Sequence, residues 1–311
     1  MLKSFFQKYN ILREDIIVIA CSGGPDSMYL LAEVMKIHPK EGIIVAHFNH
    51  CLRGIESEGD EDFLRDFCEN NHLIFVSTRK DISSIAEEMK KGIEETARIE
   101  RYIFLEQIRL QYGAKYILTA HHLDDSIETL MFNFIRGSKI HGLMGIPEQN
   151  NSILRPFLKV SKREILKKIS EENIPYRLDS TNTDDVYLRN HLRLNIISEF
   201  ERINPEYRKN LASFMGYMME LGTFIDSQVE IFLRGEESFL VEDFQVLSPF
   251  LQREIIRYLY EKANNGTIGL SEGGIAEIIR FIGDKGNYTR KDLGKLHLEK
   301  KNFRVYFRGS L

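Results

Sequence analysis

The run from Ile16 to Leu31, IIVIACSGGPDSMYLL, constrains this chain more than any other stretch. It begins with five apolar residues rich in Ile and Val, the pattern of a strand buried on both faces. It ends in Ser27-Met28-Tyr29-Leu30-Leu31, which opens a helix, and between the two lies Ser22-Gly23-Gly24-Pro25-Asp26-Ser27. A strand that gives way to glycines and then to a helix is a phosphate-holding geometry. The glycines let bare amides approach the oxygens, and the helix N-terminus adds partial positive charge. No GxxxxGK[ST] pattern is present, so no loop lysine reaches a terminal phosphate. The loop carries Asp26 instead, which repels phosphate unless a divalent cation lies between them. Pro25 has no N–H, so its neighbours' amides must do the cradling. A Gly-rich turn with a Ser/Asp helix cap would account for the same six residues without any ligand.

The rest of the chain suits such a loop. At 311 residues it accommodates one large α/β domain and a smaller one. Its longest apolar segments are strand-sized, which predicts no membrane span, and the N-terminal MLKSFFQKYNILRED has no signal-peptide core. Cys21, Cys51 and Cys68 form no CxxC pair. That speaks for a reducing compartment, hence the cytoplasm, and against a zinc or iron–sulfur site. The net charge of −4 hides a gradient. Residues 57–100 are acid-rich, while 285–308 hold Lys285, Arg290, Lys291, Lys295, Lys300, Lys301, Arg304 and Arg308 against Asp292 and Glu299. A basic tail on an acidic protein points to a local polyanion footprint, or else to a plain solvated face.

Read in order, apolar runs predict further strands at Ile43–Phe48, Leu73–Val76, Lys115–Ala120 and Ile153–Phe157. Helical periodicity predicts helices at Ser27–Lys36, around Phe63–Cys68, at 93–112 with Ile99, Ile103 and Leu110 inward, and at Asp124–Arg136. Strands alternating with helices predict an α/β fold with a doubly wound, mostly parallel sheet, whose ligands bind at the carboxyl ends of the strands. Ser161 and Glu164 form a capping box that starts a basic amphipathic helix to Glu172, stopped by Asn173-Ile174-Pro175. A long helix from about Pro205 to Arg234 leads into a second, mainly helical domain. Residues 1–204 are thus expected to form the catalytic domain and 205–311 the smaller one. The latter closes in a β-hairpin at Lys295–Phe307, with Leu296, Leu298, Phe303, Val305 and Phe307 packed and Lys295, His297, Arg304 and Arg308 outward.

A second polar cluster, Leu118-Thr119-Ala120-His121-His122-Leu123-Asp124-Asp125-Ser126-Ile127-Glu128-Thr129, directly follows the Lys115–Ala120 strand. Asp125, Glu128 and Thr129 share one helix face. Asp26 and Asp125 can hold Mg²⁺ against phosphates, since Mg²⁺ takes one or two carboxylates plus phosphate oxygens. The histidines can instead bind a transition metal, or His121 can donate to a phosphate oxygen in the transition state.

Ser-Gly-Gly-x-Asp-Ser after a strand resembles the PP-loop of the ATP pyrophosphatases, which cut ATP at the α-phosphorus and leave AMP on the substrate. SGGPDS, HFNHCLRG (47–54), EETARIERY (94–102), LTAHHLDDSIETLMFNFIRG (118–137), GLMGI (142–146), RPFL…KREI (155–165) and LDSTNTDDVYLRNHLR (178–193) occur in series. Together they resemble the tRNA(Ile)-lysidine synthetase family over most of residues 16–200. The resemblance implies an adenine nucleotide α-hydrolase-like catalytic domain followed by a helical, tRNA-contacting region. It implies a ligase that uses ATP and Mg²⁺ to join free L-lysine to the cytidine at the first anticodon position of a minor tRNA(Ile), through an adenylated cytosine. It assigns nucleotide contacts to Ser22, Gly23, Gly24, Pro25, Asp26, Ser27, His47, Asn49 and Arg98, and the metal to Asp26 and Asp125. Catalytic roles fall on Asp26, His121, Asp125 and Arg189. Arg53, Arg101 and Arg193 are further candidates for phosphate, and Glu128 and Asp124 for the base that frees lysine's amine. Asp179-Ser180-Thr181-Asn182 is displaced by one residue from the family's Asp-x-Ser-Asn. The chain also resembles a short form, whose tRNA grip rests on residues 210–311 and a partner subunit, as a homodimer would provide.

Three other readings compete. A PP-loop tRNA sulfur transferase commonly needs paired cysteines. A small-molecule ligase of the NAD or GMP synthetase kind has no use for the basic tail. A non-enzymatic tRNA-binding module would not need Asp26, Ser27 and Asp125 intact.

Overall fold

A computed structural model describes residues 1–51, 55–178, 191–264, 266–267, 269–284, 286 and 289–309. The chain forms two compact units, Met1–Met215 and Gly216–Leu311.

The first unit is built on a six-stranded sheet in the order β3-β2-β1-β4-β6-β5. Its chain runs α1 (Leu2–Lys8), β1 (Ile17–Ala20), α2 (Pro25–Met35), β2 (Ile43–Asn49), α3 (Ile55–Asn71), β3 (Ile74–Arg79), α4 (Ile82–Met89), α5 (Ile93–Gln111), β4 (Tyr116–Leu118) and α6 (Leu123–Ile135). The short strands β5 (Gln149–Asn150) and β6 (Ile153–Leu154) then precede α7 (Lys162–Glu172). All pairings are parallel except β5 with β6. From β1 the chain steps to β2 and β3, then returns to β4 on the other side of β1. That reversal leaves a crevice beyond the carboxyl ends of β1 and β4.

Both faces of the sheet are covered, which is why its strands read as unbroken apolar runs. On one face Ile17, Ile19, Ile43 and Val45 pack with Leu30, Leu31 and Val34 of α2 and Ile165 and Ile169 of α7. On the other, Val18, Ile44 and Ile117 meet Phe104, Leu105 and Ile108 of α5. The inward face of α5 is therefore Thr96, Phe104, Leu105 and Ile108. The periodicity reading misassigned it: Ile103 is 44% and Leu110 65% exposed. A helix containing both apolar sets has two plausible stripes, and the sheet selects the one bearing Phe104.

The predicted β4 and β6 are each shorter than expected, because β4 pairs with β6 over only two positions, Ile117↔Ile153 and Leu118↔Leu154. Phe157, beyond β6, is fully buried and stacks on Tyr29 of α2 at 5.1 Å between ring centroids. The Ser161–Glu164 capping box is present, with both reciprocal bonds. Asn173 ends α7 in the left-handed conformation.

The 27-residue helix Tyr207–Leu233 runs from the first unit into the second. The second unit adds helices Pro249–Asn264 and Glu272–Gly283 and a four-stranded antiparallel sheet, β7 (Ser238–Leu240), β8 (Thr289–Leu293), β9 (Leu296–Lys301) and β10 (Arg304–Gly309), in the order β7-β10-β9-β8. The expected hairpin is β9–β10, the centre of a larger sheet. Leu296, Leu298 and Val305 are buried as predicted, whereas Phe303 is 74% exposed. Asn302 and Phe303 both have positive φ, 51° and 61°, so they form the two-residue turn and Phe303 has no place on a strand face. Lys300 is also not part of a surface patch. It is buried, and its ammonium donates to the carbonyls of Phe281 and Ile282 at the end of the Glu272–Gly283 helix.

Replacing Phe157 by Ala should destabilise the first unit by about 3–5 kcal/mol, the usual cost of truncating a fully buried aromatic. Urea unfolding followed by circular dichroism would measure it.

Candidate active site

The SGGPDS loop carries out the turn expected of it. Gly23 adopts φ +85°, a conformation L side chains rarely take. Pro25 is the first residue of α2 and Gly24 its N-cap. The loop is braced internally. Ser27 Oγ accepts from the Ser22 amide at 3.2 Å and donates to the Gly24 carbonyl at 2.9 Å. The Gly24 amide donates to Ser22 Oγ at 3.3 Å. Ser22 and Ser27 therefore hold the loop's shape. From outside, the Arg177 amide donates to the Gly23 carbonyl at 3.0 Å, and the Arg177 guanidinium pairs with Asp60 of α3 at 2.7 Å.

A cavity of about 450 Å³ opens at the carboxyl ends of β1, β2 and β4. Its lining includes Ser22, Asp26, His47, Arg101, His121 and Asp125. The topology thus brings together most of the residues the sequence singled out. Asn49 also reaches the cavity, but its amide is engaged: Nδ2 donates to the buried Glu61 at 3.3 Å and Oδ1 accepts from the Cys51 amide at 2.9 Å. His47 is buried at the end of β2, with Nδ1 3.0 Å from the Cys21 carbonyl. Arg98 is exposed above the Tyr102 ring and does not line the cavity; Arg101, one turn further along α5, does. Arg53 and Arg189, with the 179–182 segment, lie outside the described residues.

The two adjacent histidines diverge. His122 is the buried N-cap of α6: it accepts from the Asp125 amide at 3.4 Å, while its own amide donates to Asp125 Oδ2 at 2.9 Å. Its Nε2 lies 3.7 Å from Asp26 Oδ2. His121 points elsewhere, with Nδ1 2.8 Å from Thr119 Oγ1. The pair therefore does not chelate a transition metal. Among the described residues, no group of three His, Cys, Asp or Glu side chains comes together as a metal site. Of the three carboxylates lining the cavity, Asp60 is paired with Arg177, and Asp26 and Asp125 form a hard-oxygen pair that fits Mg²⁺ held jointly with phosphate oxygens.

Charges in the site fall on two walls. On one, both oxygens of Asp26 lie 2.6 Å from the Lys162 ammonium. On the other, Arg101 has its guanidinium carbon 5.3 Å from the Tyr102 ring centroid, and Arg98 stands over the same ring at 5.7 Å, outside the cavity. The buried Arg155, whose charge helps hold the Tyr102 phenol below its usual range, donates to the Pro147 carbonyl at 2.7 Å. Among the described residues none of these three arginines has a carboxylate within ion-pair distance. Burial, then the nearby Arg155, Arg101 and Arg98, hold the His121 imidazole down to a pKa of about 3. It is neutral throughout the physiological range and serves as a hydrogen-bonding group.

The acids of α6 separate by role. Asp124 is held ionised against its burial by the Lys162 amide at 2.7 Å and Arg208 at 2.8 Å. Joined to both, it is a structural tie between α6, α7 and the Tyr207–Leu233 helix. Glu128 is buried, which pushes its carboxyl up even though Arg193 grips both its oxygens, at 2.5 and 3.1 Å. Arg193 sits on a π-helical segment, Leu192–Ile197.

Lys162, Arg155 and the capping role of His122 escaped sequence reasoning. Lys162 lies within the KREI segment at the first position of a helix whose start was legible. Its partner Asp26, however, is 136 residues away.

Because His121 titrates lower in the fold than in an unfolded chain, the unfolded state binds the extra proton between about pH 6.5 and 3. Stability is lost as pH falls through that window. His121→Asn should therefore flatten the acid limb by up to about 1.4 kcal/mol per pH unit. Urea midpoints between pH 7 and pH 4 would report it.

Residues 1–200 match the family described as PP-loop domain. The chain is 30% identical over 298 residues to the tRNA(Ile)-lysidine synthase of Caldanaerobacter subterraneus subsp. tengcongensis, covering 92% of this chain and 64% of that one. It is 35% identical over 268 residues to the tRNA(Ile)-lysidine synthase of Chlorobaculum tepidum, covering 82% and 80%. Among solved structures, the U34-tRNA thiolase NcsA from Methanococcus maripaludis superposes with a TM-score of 0.56 at 19% identity, over 70% of this chain and 78% of that one. This last likeness is one of fold. The chain spans about half to two thirds of the length of most of the curated relatives it matches.

Proposed function

We propose, from the premise that this chain belongs to the tRNA(Ile)-lysidine synthase family of PP-loop proteins, that it joins free lysine to a tRNA cytidine at the expense of ATP. The observation that carries this reading is the cavity itself. A braced loop at a helix N-terminus and the carboxylates of Asp26 and Asp125 share it with Arg101, which among the described residues has no carboxylate within ion-pair distance.

In this reading the amides at the start of α2 hold the β,γ-pyrophosphate, which leaves when the cytosine carbonyl oxygen attacks the α-phosphorus. Asp26 and Asp125 would hold Mg²⁺, which neutralises charge on the leaving pyrophosphate. Arg101 and neutral His121 supply positive charge and a hydrogen bond to oxygens around the phosphorus, with Arg155 behind them. Lysine's amine then attacks the activated ring carbon, AMP departs with the oxygen, and the amine sheds a proton. Glu128, whose carboxyl burial pushes up while Arg193 holds both its oxygens, is the candidate to take it. Cys21, Cys51 and Cys68 are all free thiols, which fits a cytoplasmic setting and leaves no paired cysteines for sulfur transfer.

The second unit is the proposed tRNA-gripping region. The face of its sheet turned away from the helices carries Arg290, His297, Lys301, Tyr306 and Arg308 around an open groove. Arg304 is paired with Glu236 at 2.9 Å, Arg290 lies 3.6 Å from Glu299, and His297 Nδ1 lies 2.7 Å from Asp292.

Pyrophosphate release should require ATP and tRNA, its continuation over many turnovers should also require lysine, and Asp26→Ala should abolish it. Release unaffected by that change, or supported by other amino acids equally well, would defeat the proposal. Replacing Arg290, Lys301 and Arg308 together by Ala should weaken tRNA binding. It should also flatten the slope of log K against log salt by about two to three, roughly 0.7–0.9 per lost phosphate contact. ATP binding should not change. An unaltered slope would return the groove to ordinary surface.

A further inference from the structure

The loop lacks the lysine that phosphate-binding loops of the Walker type carry, and its only charged side chain is an acid. That leaves an electrostatic difficulty on the entry side: a polyphosphate must approach a helix N-terminus guarded by a carboxylate. Lys162 answers it. Its ammonium lies 2.6 Å from both Asp26 oxygens, so the pair presents no net charge to an incoming anion.

The position of Lys162 is fixed by backbone contacts along the start of α6. Phe157 bridges to His122, the Leu123 amide donates to the Val160 carbonyl at 2.9 Å, and the Lys162 amide donates to Asp124 at 2.7 Å. The stack of Phe157 on Tyr29 ties the same segment to α2. Ser161 and Glu164 fix the start of α7 by their reciprocal bonds. The Lys162 side chain is therefore delivered to the phosphate loop from a rigid base, while the side chain itself is partly exposed and free to change partner.

We propose that Lys162 is the phosphate-binding lysine of this site, supplied from α7 and parked on Asp26 until nucleotide arrives. This rests on the functional reading above. A divalent cation entering with the polyphosphate competes with the ammonium for the Asp26 oxygens, because it carries twice the charge. The displaced ammonium is then beside phosphate oxygens, where a compact point charge binds well. The same residue thus masks the acid in the empty site and pairs with the leaving pyrophosphate in the filled one. No bond is made or broken in this exchange; two ion pairs swap partners.

The two halves of the swap can be measured without turnover. Calorimetry with inorganic pyrophosphate and Mg²⁺ should show Lys162→Met binding about tenfold more weakly than wild type, with Lys162→Arg much closer to it. Mn²⁺ binding without phosphate, followed by its electron paramagnetic resonance signal, should tighten severalfold in Lys162→Met, because the competing ammonium is gone. A residue that merely starts a helix would move neither quantity. Wild-type affinity for Mg-pyrophosphate in Lys162→Met overturns the proposal while leaving the functional reading standing. Failure of the wild-type protein to bind Mg-pyrophosphate overturns that reading, and the inference with it. Far-ultraviolet circular dichroism melts establish that both variants fold.

Discussion

The first unit depends on β1 being sealed on every side. Ile17, Val18 and Ile19 have no exposed surface, and β1 pairs along its length with β2 and β4. A strand so enclosed can release unpaired amides only where it ends. The chain must then turn at once into α2, because that helix covers the strand it has just left. Glycine at position 23 makes the turn sterically feasible, and the start of α2 supplies the positive end. Burial at the centre of the sheet and anion affinity at its edge are two results of one connection.

Much of this was readable in the residues. The Ile-Val run, the capping box at Ser161 and the stop at Asn173 act within a few residues of themselves, so the string of letters contains both halves of each interaction. The clustering of Asp26, His121 and Asp125 followed from a rule about parallel sheets that needs only strand order. What sequence could not supply were pairings over long separations. Lys162 with Asp26, Arg208 with Asp124 and Arg193 with Glu128 join residues 136, 84 and 65 positions apart. Nothing local distinguishes those side chains from ordinary surface charges.

The errors have the same origin. On α5 two apolar stripes were available, and choosing between them required knowing which face the sheet would take. Phe303 fitted an alternating strand pattern, but the turn needed two residues at positive φ and took it. Asp124 looked like its neighbour Asp125 until its two partners came into view. One of them belongs to α7 and the other to the long helix. Adjacent acids on one helix can thus differ: Asp124 ties two other helices, while Asp125 lines the cavity.

The arginine wall carries a further meaning for the molecule as a physical object. Arg98, Arg101 and Arg155 crowd round Tyr102 and His121, and burial lowers the proton affinity even of the Arg101 guanidinium. The buried Arg155 and half-buried Arg101, without a carboxylate partner among the described residues, are a liability in a protein that must fold before it meets any ligand. Asp26, Asp60 and Asp125 line the same cavity, but none of them lies within ion-pair distance of these arginines. An anion seated against Arg101 would supply the partner that these guanidinium groups lack among the described residues. Stability given up in one corner of the fold becomes affinity for whatever carries the opposite charge.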